Sequence, residues 1–251
     1  MKEQELGLFE TMRSYNGNII YFERHLTRLK KSAELFSLNI PYSSREIKLL
    51  VQEAVKKCGY KDSRLRITLW AGENNKTEFM ISASRYQPLS PKKYKSGFSA
   101  CISPLRQAEG LGLSNIKTSS RALFELSYRF AKNSNFDEAI ILNNRGIVCE
   151  ATRSNLFFIK DDELFTPSLK CGCLPGITRQ AVFDLAKKYA IPVNKGEFTT
   201  EDLVKAEGAF LTNSLIGIMP LTKIGTKLIN NRRIHHLTKF FIRQYNHLLK
   251  T

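Results

Sequence analysis

Three short segments of the chain carry chemically complementary groups. Lys117 offers an amine, which can condense with an aldehyde to form a Schiff base. Glu150 ends a short apolar run, so a strand would present its carboxylate. Gly176, Ile177 and Thr178 stand at a predicted helix start, where free backbone N–H groups bind phosphate. A pyridoxal-phosphate (PLP) site needs these three groups, because the carboxylate keeps the pyridine nitrogen protonated and the ring able to accept electrons.

Five motifs in chain order extend this combination. They are Ile116-Lys117-Thr118, Asp137-Glu138-Ala139, the segment 150–157, Thr166-Pro167 and the segment 174–179. Their order and spacing resemble those of the class IV aminotransferases, the family of branched-chain aminotransferase, D-amino-acid aminotransferase and aminodeoxychorismate lyase. The resemblance implies a mixed α/β fold with two domains, of the D-amino-acid aminotransferase type. It also implies pyridoxal 5′-phosphate as the cofactor and a homodimer.

The resemblance assigns roles to individual residues. Lys117 matches the Schiff-base lysine, which is also the general base, and Glu150 matches the partner of the pyridine nitrogen. The other residues that it assigns to the cofactor are Arg28, Ile177, Thr178, Asn213 and Ser214. Taken one by one, these residue types have ordinary structural explanations, such as a solvated lysine, an exposed strand-end carboxylate or a threonine that caps a helix.

The resemblance also implies residues at the substrate, which we expect to be a small anionic amine. These residues are Phe9, Arg13, Arg66 and Arg121. Arg64 and Arg66 are two residues apart on a predicted strand and therefore share one face, which is either the substrate face or an outer one. Relatives usually carry more residues before the first motif, and these form part of the pocket wall. The resemblance therefore does not assign the residues of the outer wall here.

Two positions favour one activity within the family. Arg121, and Asn213 followed by Ser214, resemble aminodeoxychorismate lyase, whereas Ser120 departs from the pattern of lyases and transaminases alike. The expected activity is therefore that of a PLP-dependent 4-amino-4-deoxychorismate lyase, which eliminates pyruvate and gives p-aminobenzoate for folate biosynthesis. The alternative is a branched-chain or D-amino-acid aminotransferase that uses the same lysine and glutamate.

The composition excludes several other classes of protein. The 251 residues are 42% hydrophobic with a net charge of +16, but the basic residues are spread without a nucleic-acid-binding motif, so we expect no such partner. The five cysteines are odd in number and lack a second pair of ligands at zinc spacing, which argues against disulfides and a metal site. No apolar run could span a membrane and no signal peptide is visible, so the expected location is the cytoplasm.

Hydrophobic periodicity predicts two α/β domains. The first, residues 1–106, contains a predicted hairpin, two helices and two strands, and Ser43 with Glu46 predicts a capping box on the second helix. Residues 107–114 have two glycines and little periodicity, which is typical of a linker. Residues 115–251 form the predicted cofactor-binding domain, whose final helix is predicted over 232–250.

Overall fold

The computed structural model describes residues 7–72, 76–108 and 115–249, and its contacts divide the chain into two compact units. One unit comprises Met1–Pro88 with Ile116–Arg121, and the other comprises Leu89–Asn115 with Ala122–Thr251. These bounds differ from the predicted domains, because a strand at 98–107 pairs with strands of the second unit. Most of the predicted linker, 109–114, lies outside the described residues.

The first unit contains a four-stranded antiparallel sheet and two helices. Its elements are β1 Gly7–Tyr15, β2 Asn18–Ile19, α1 Phe22–Leu35, α2 Ser44–Cys58, β3 Ser63–Ala71 and β4 Thr77–Arg85. The strands lie in the order β2-β1-β3-β4, with every neighbouring pair antiparallel.

Strand β1 has two chemically different faces. Leu8 and Met12 point to one side and pack in a core with residues of α1 and α2. Alternation along the strand puts Phe9, Thr11 and Arg13 on the opposite side. Burial of each large apolar side chain contributes about 1.5–3 kcal/mol, so the register of β1 is strongly determined.

Helix α2 begins at the predicted capping box, which the structure confirms. Glu46 N donates to Ser43 Oγ at 3.3 Å, and Ser43 N donates to Glu46 Oε2 at 2.8 Å. The helix is followed by Gly59, which has a φ of 73° and adopts the left-handed conformation that glycine tolerates best.

The second unit contains a mixed sheet with helices. Its elements are α3 Pro91–Ser96, β5 Phe98–Gln107, α4 Ala122–Asn133, β6 Glu138–Asn143, β7 Val148–Ala151, β8 Asn155–Lys160, β9 Glu163–Pro167, α5 Ile177–Lys188, β10 Val193–Gly196, α6 Thr200–Val204, β11 Gly208–Asn213, β12 Gly217–Ile224, β13 Lys227–Leu228 and α7 His236–Leu248. The strand order is β10-β9-β8-β11-β12-β5-β6-β7, and β13 pairs with β12. Helix α7 is shorter than the predicted 232–250, because its first turn is preceded by the N-cap His235 and a separate 3-10 turn.

Stacked aromatic rings hold the middle of this sheet. Phe157 on β8 stacks on Phe210 of β11 with ring centroids 5.0 Å apart, and Phe241 of α7 lies 6.0 Å from Phe210. All three side chains are fully buried. This packing joins β8 and α7 to β11, the strand that ends at the predicted cofactor residue Asn213.

Candidate active site

The backbone around Lys117 is bound to the start of β1. Phe9 N donates to Lys117 O at 3.0 Å, and Ser119 N donates to Gly7 O at 2.6 Å. Gly7 N donates to Ser119 Oγ at 2.7 Å. A side chain at Gly7 would place its Cβ 2.8 Å from the carbonyl oxygen of Leu69, so this close pairing requires glycine. These bonds fix Lys117 against the strand, with its Nζ 4.5 Å from the centroid of the Phe9 ring.

Three cationic side chains surround the ring of Phe9. Arg66 Cζ lies 3.8 Å from the ring centroid and Arg121 Cζ lies 6.0 Å from it, in addition to Lys117 Nζ. Each such contact contributes about 0.5–2 kcal/mol. Burial lowers the pKa of Arg66, and the charges of Arg64 and Arg121 lower it further. Four of the predicted residues are thus brought together, and their charges favour an anionic substrate.

The sheet register decides how Arg64 and Arg66 are oriented. Arg66 pairs with Thr11 and Arg64 pairs with Arg13, so both arginines lie on the face of the sheet opposite to α1 and α2. Arg64 is exposed, whereas Arg66 is half-buried and donates from Nε to Thr68 Oγ1 at 3.3 Å. Arg66 is therefore the arginine of the pair that lies against the aromatic ring.

Arg13 lies away from the ring of Phe9, in contact with Asp62 and two tyrosine rings. Its Nη2 lies 2.9 Å from Asp62 Oδ2, and its guanidinium lies over the rings of Tyr15 at 4.1 Å and Tyr86 at 4.4 Å. Burial raises the pKa of Tyr15 to about 12. Four residues along a strand span about 13 Å. The structure therefore does not bring Arg13 to Phe9, and its predicted role at the substrate gains no support from this placement.

Arg28 lies in a buried cluster on the other face of β1. Its Nε donates to Glu10 Oε1 at 2.6 Å and its Nη2 donates to Glu10 Oε2 at 2.7 Å. His25 Nδ1 lies 2.7 Å from Glu10 Oε2. Burial raises the pKa of Glu10, but Arg28 and His25 outweigh it and lower the value to about 2. Glu10 is thus ionised and can only accept hydrogen bonds, so His25 donates from Nδ1.

Glu150 on β7 accepts hydrogen bonds from neutral donors and interacts electrostatically with Arg179. Its side chain is 6% exposed, and Oε2 accepts from Asn155 Nδ2 at 3.1 Å and from Leu174 N at 3.2 Å. Asn155 Nδ2 also donates to Leu174 O at 2.8 Å. These bonds orient the carboxylate, as a partner for a protonated ring nitrogen requires.

The start of α5 fits a phosphate group. Its N-cap is Gly176, which provides no side-chain cap, and a Cβ there would lie 1.9 Å from Asn155 Oδ1. Thr178 Oγ1 is buried and has no hydrogen-bond partner among the described residues. Ile177 and Thr178 both lie in the first turn, where the helix dipole stabilises an anion by about 0.3–1 kcal/mol.

Asn213 closes the turn between β11 and β12. Its Oδ1 accepts from Leu215 N and Ile216 N, both at 2.9 Å. Its Nδ2 donates to Arg153 O at 3.1 Å and to Ser154 Oγ at 3.0 Å. The amide oxygen and the amide nitrogen of Asn213 therefore both make hydrogen bonds within the protein, and these bonds stabilise the turn. The neighbouring predicted phosphate residue, at position 214, is half-buried in the same turn.

Sequence reasoning missed several residues that support the predicted ones. Glu10 and His25 bind Arg28, Asn155 orients Glu150, and Arg179 is 5% exposed with Nη2 donating to a carbonyl oxygen at 2.8 Å. The signal for Glu10 was present, because a carboxylate at an inward strand position between two apolar residues needs a buried partner.

One group of metal-ligating residue types occurs among the described residues. It comprises Asp162, His235 and His236, whose candidate ligand atoms lie within 4.8 Å of one another. His235 Nδ1 accepts from Leu237 N at 3.3 Å at the start of α7, where the helix dipole disfavours a cation. The geometry therefore fits an imidazole–carboxylate cluster better than a metal site, and the expected absence of a metal stays a prediction.

A comparison with family models now decides the identity of the fold. The model for "Amino-transferase class IV" matches residues 7–224. The chain belongs to the class IV aminotransferase family. Enzymes of this family use PLP, and the residues at Glu150 and at the start of α5 fit that group.

Relatives and solved structures of this family cover almost the whole chain. A "Probable branched-chain-amino-acid aminotransferase" of Rickettsia bellii is 28% identical over 91% of this chain and 80% of its own length. "D-alanine aminotransferase" of Listeria monocytogenes is also 28% identical, over 90% of this chain and 81% of its own length.

Two solved structures confirm the expected two-domain α/β fold of this family. The branched-chain amino acid aminotransferase of Escherichia coli has a TM-score of 0.92 at 22% identity and covers 98% of this chain and 86% of its own. A Legionella pneumophila structure described as "Putative 4-amino-4-deoxychorismate lyase" has a TM-score of 0.87 at 23% identity, with 96% and 91% covered. In the described part of the chain, no helix combines the length and the apolar character that a membrane span requires.

Proposed function

We propose that this protein is a PLP-dependent aminotransferase, which moves an amino group from an amino acid to a 2-oxo acid. The observation that carries the proposal is the arrangement around Phe9, where the amine of Lys117 lies near the guanidinium of Arg66. An amino acid offers an amine that can exchange with the lysine and a carboxylate that a guanidinium binds. The names of the relatives, branched-chain and D-alanine aminotransferases, support the same class.

The proposal gives each group of residues a task. Lys117 would hold the cofactor aldehyde, and its neutral amine would then take and return the substrate proton. Glu150 would hold a proton at the pyridine nitrogen, so that the bound cofactor supplies an electron sink. The residues that would bind the phosphate are Arg28, Ile177, Thr178 and Ser214. As in the family, the active form would be a homodimer.

The hydrogen bonds that hold the backbone at Lys117 would help proton transfer. A general base must stay within hydrogen-bond reach of the proton that it removes. The bonds from Phe9 N to Lys117 O and from Ser119 N to Gly7 O hold the base of the side chain, so only the lysine methylenes have to be ordered. Arg66, on the neighbouring strand of the same sheet, would fix the substrate carboxylate relative to that amine.

A second candidate, 4-amino-4-deoxychorismate lyase, was the activity expected from the sequence. Arg121 favours it, because a dicarboxylate would use a second guanidinium, and Arg121 and Arg66 lie at the same ring. Asn213 contributes less to this candidate than the sequence suggests, since its amide is engaged by backbone groups and by Ser154. The names of the relatives also favour the aminotransferase.

One experiment separates the two candidates. Purified protein loaded with PLP is incubated with single L- and D-amino acids, and separately with 4-amino-4-deoxychorismate. An aminotransferase converts its cofactor to the pyridoxamine form and releases the 2-oxo acid, whereas the lyase releases p-aminobenzoate and pyruvate in equal amounts. Lys117→Ala should abolish either activity, while Lys132→Ala on the exposed side of α4 serves as the matched control. Protein that binds PLP but performs neither reaction would contradict both candidates.

A further inference from the structure

The cluster of Glu10, His25 and Arg28 is more elaborate than its place in the fold requires. Glu10 is 1% exposed and His25 is 2% exposed, and both lie with the apolar side chains that α1 packs on β1. The neighbours of Glu10 on the same face of β1 are Leu8 and Met12. A buried ion pair costs about as much desolvation energy as it returns, so an apolar residue at this position would stabilise the fold as well or better. The cluster therefore calls for a role beyond stability.

The hydrogen bonds show what the cluster does to Arg28. A guanidinium has five N–H donors in one plane. Glu10 accepts from Nε and from Nη2, and so it occupies one edge of that plane. The carboxylate is in turn held from rotating by His25, which donates to the same oxygen that accepts from Nη2. Arg28 is thereby fixed in one orientation, and the edge formed by Nη1 and the outer N–H of Nη2 is directed away from Glu10.

The charges of Glu10, His25 and Arg28 also favour this fixed orientation of Arg28. Burial lowers the pKa of His25 and outweighs the hydrogen bond and the charge of Glu10, which raise it, and the charges of Arg28 and Lys117 lower it further. Because the folded pKa lies below the ordinary value of 6.5, the neutral imidazole predominates at pH 7. The ionised Glu10 then balances Arg28, and the buried cluster carries no net charge. Neutral His25 adds a directional hydrogen bond without a second positive charge.

We infer that Glu10 and His25 are positioning residues that set the orientation of Arg28 for the phosphate of PLP. This inference rests on the proposed function, in which Arg28 binds that phosphate. It adds that the affinity for the phosphate depends on two residues that do not touch it. The effect passes through Arg28 alone.

The test is a titration of the cofactor-free protein with PLP and with pyridoxal, which lacks the phosphate. Glu10→Gln keeps the shape of the side chain but removes the charge that holds the guanidinium. It should weaken PLP binding by about 10- to 100-fold, by analogy with loss of the residue that orients a metal-binding side chain. It should leave the affinity for pyridoxal within about twofold, because the loss is confined to the phosphate. A general structural defect would weaken both ligands alike and would overturn the inference.

A double-mutant cycle tests whether Glu10 acts through Arg28. In an Arg28→Gln background, Glu10→Gln should change the PLP dissociation constant by less than about twofold, because the residue that it orients is gone. Independent effects that multiply would contradict the inference. Asp62→Asn, which removes the carboxylate partner of Arg13 at the other end of β1, is the matched control and should bind PLP as the unchanged protein does.

His25 provides a second pair of variants that does not remove a buried charge. His25→Asn keeps a donor near the position of Nδ1 and should retain PLP affinity, whereas His25→Phe removes the donor and should weaken it. Equal affinities for these two variants would show that the His25 bond does not orient Arg28. Failure of the unchanged protein to bind PLP at all would overturn the proposed function together with this inference, while normal binding without coupling would overturn the inference alone.

Discussion

Two buried carboxyl groups, one in each unit, show how the neighbouring groups determine the pKa of a buried acid. Glu10 in the first unit and Glu138 in the second are 1% and 3% exposed. Burial raises the pKa of both, but Arg28 and His25 lower that of Glu10 to about 2. Burial raises the pKa of Glu138, and the Thr152 hydroxyl, the backbone N–H groups of Ala139 and Arg153 and the charge of Arg153 lower it less than burial raises it. Equal burial therefore gives opposite results, because the guanidinium of Arg28 donates two hydrogen bonds to Glu10.

The candidate active-site residues of the two units also differ in charge. The first unit gathers positive charge, with Arg66 and Arg121 near the same ring as Lys117. In the second unit, Glu150 accepts from Asn155 and from a backbone N–H, and the start of α5 has a buried Thr178 hydroxyl with no hydrogen-bond partner among the described residues. The positive group suits a substrate carboxylate, and the second group suits the ring nitrogen and the phosphate of a cofactor.

Glu150→Gln should lower kcat by about 10²- to 10³-fold, the range for loss of one oriented electrostatic contact in a dry site. The amide keeps the shape but cannot hold a proton at the pyridine nitrogen. Stopped-flow measurement of the first half-reaction with an amino acid gives the rate. Glu201→Gln, at an exposed position on α6, is the control and should leave the rate unchanged. Equal rates for Glu150→Gln and the unchanged protein would remove Glu150 from the proposed site.

Arg66→Lys should raise the KM for the amino acid by about 10- to 100-fold, because a lysine cannot make the bidentate contact of a guanidinium with a carboxylate. The control is Arg64→Lys on the same face of the same strand, where the side chain is exposed. Steady-state kinetics on both variants measures the difference. If the two substitutions have the same effect, the positive cluster around Phe9 does not bind the substrate.

Stability against pH should differ in sign between the two buried carboxylates. Because the folded pKa of Glu10 lies near 2 and its ordinary value is 4.5, its contribution of about 3 kcal/mol is present above pH 4.5 and is lost as the pH falls towards 2. Glu10→Gln should therefore lower the free energy of unfolding at pH 7 and lose most of this deficit at pH 2–3. Urea denaturation at pH 7, 5 and 3 measures both values.

Glu138 should behave in the opposite way. Its raised pKa means that the folded protein loses stability as the pH rises from 4.5 through the folded value. Glu138→Gln should therefore be more stable than the unchanged protein at pH 8, and this advantage should disappear below pH 4.5. The same urea series tests it, and a Glu138→Gln variant that is less stable than the unchanged protein at pH 8 would show that burial does not raise the pKa of Glu138.

Asn213→Ala should have the smallest effect on chemistry. Loss of its turn bonds costs about 0.5–1.5 kcal/mol each, so the melting temperature should fall. The ratio of 2-oxo acid to p-aminobenzoate formed by the protein should not change, because the amide serves the turn. A changed product ratio at equal fold stability would restore Asn213 as a residue that selects the reaction.

Local patterns were the easiest to predict from the sequence. The capping box of Ser43 and Glu46 and the order of motifs around Lys117 and Glu150 depend on neighbouring residues, and the family and fold followed from them. Long-range pairing was harder. The sequence predicts the residues of β5 as part of the first domain, but β5 pairs in parallel with β6 and β12, and this pairing depends on residues far along the chain.

Roles that depend on hydrogen-bond partners could not be predicted either. Asn213 matches a lyase motif in sequence, and only its four bonds show that it closes a turn. Arg13 lies on the same face of β1 as Phe9, and only the position of Asp62 shows that its charge is engaged elsewhere. The catalytic roles of Lys117 and Glu150 stay predictions.

The central claim is that Lys117 carries the cofactor. The most direct test is to reduce the PLP-loaded protein with borohydride, digest it and locate the phosphopyridoxyl group by mass spectrometry. We expect the group on Lys117, and we expect none on Lys117→Ala protein that is folded as judged by circular dichroism. A label on a different lysine, or no label at saturating PLP, would contradict it.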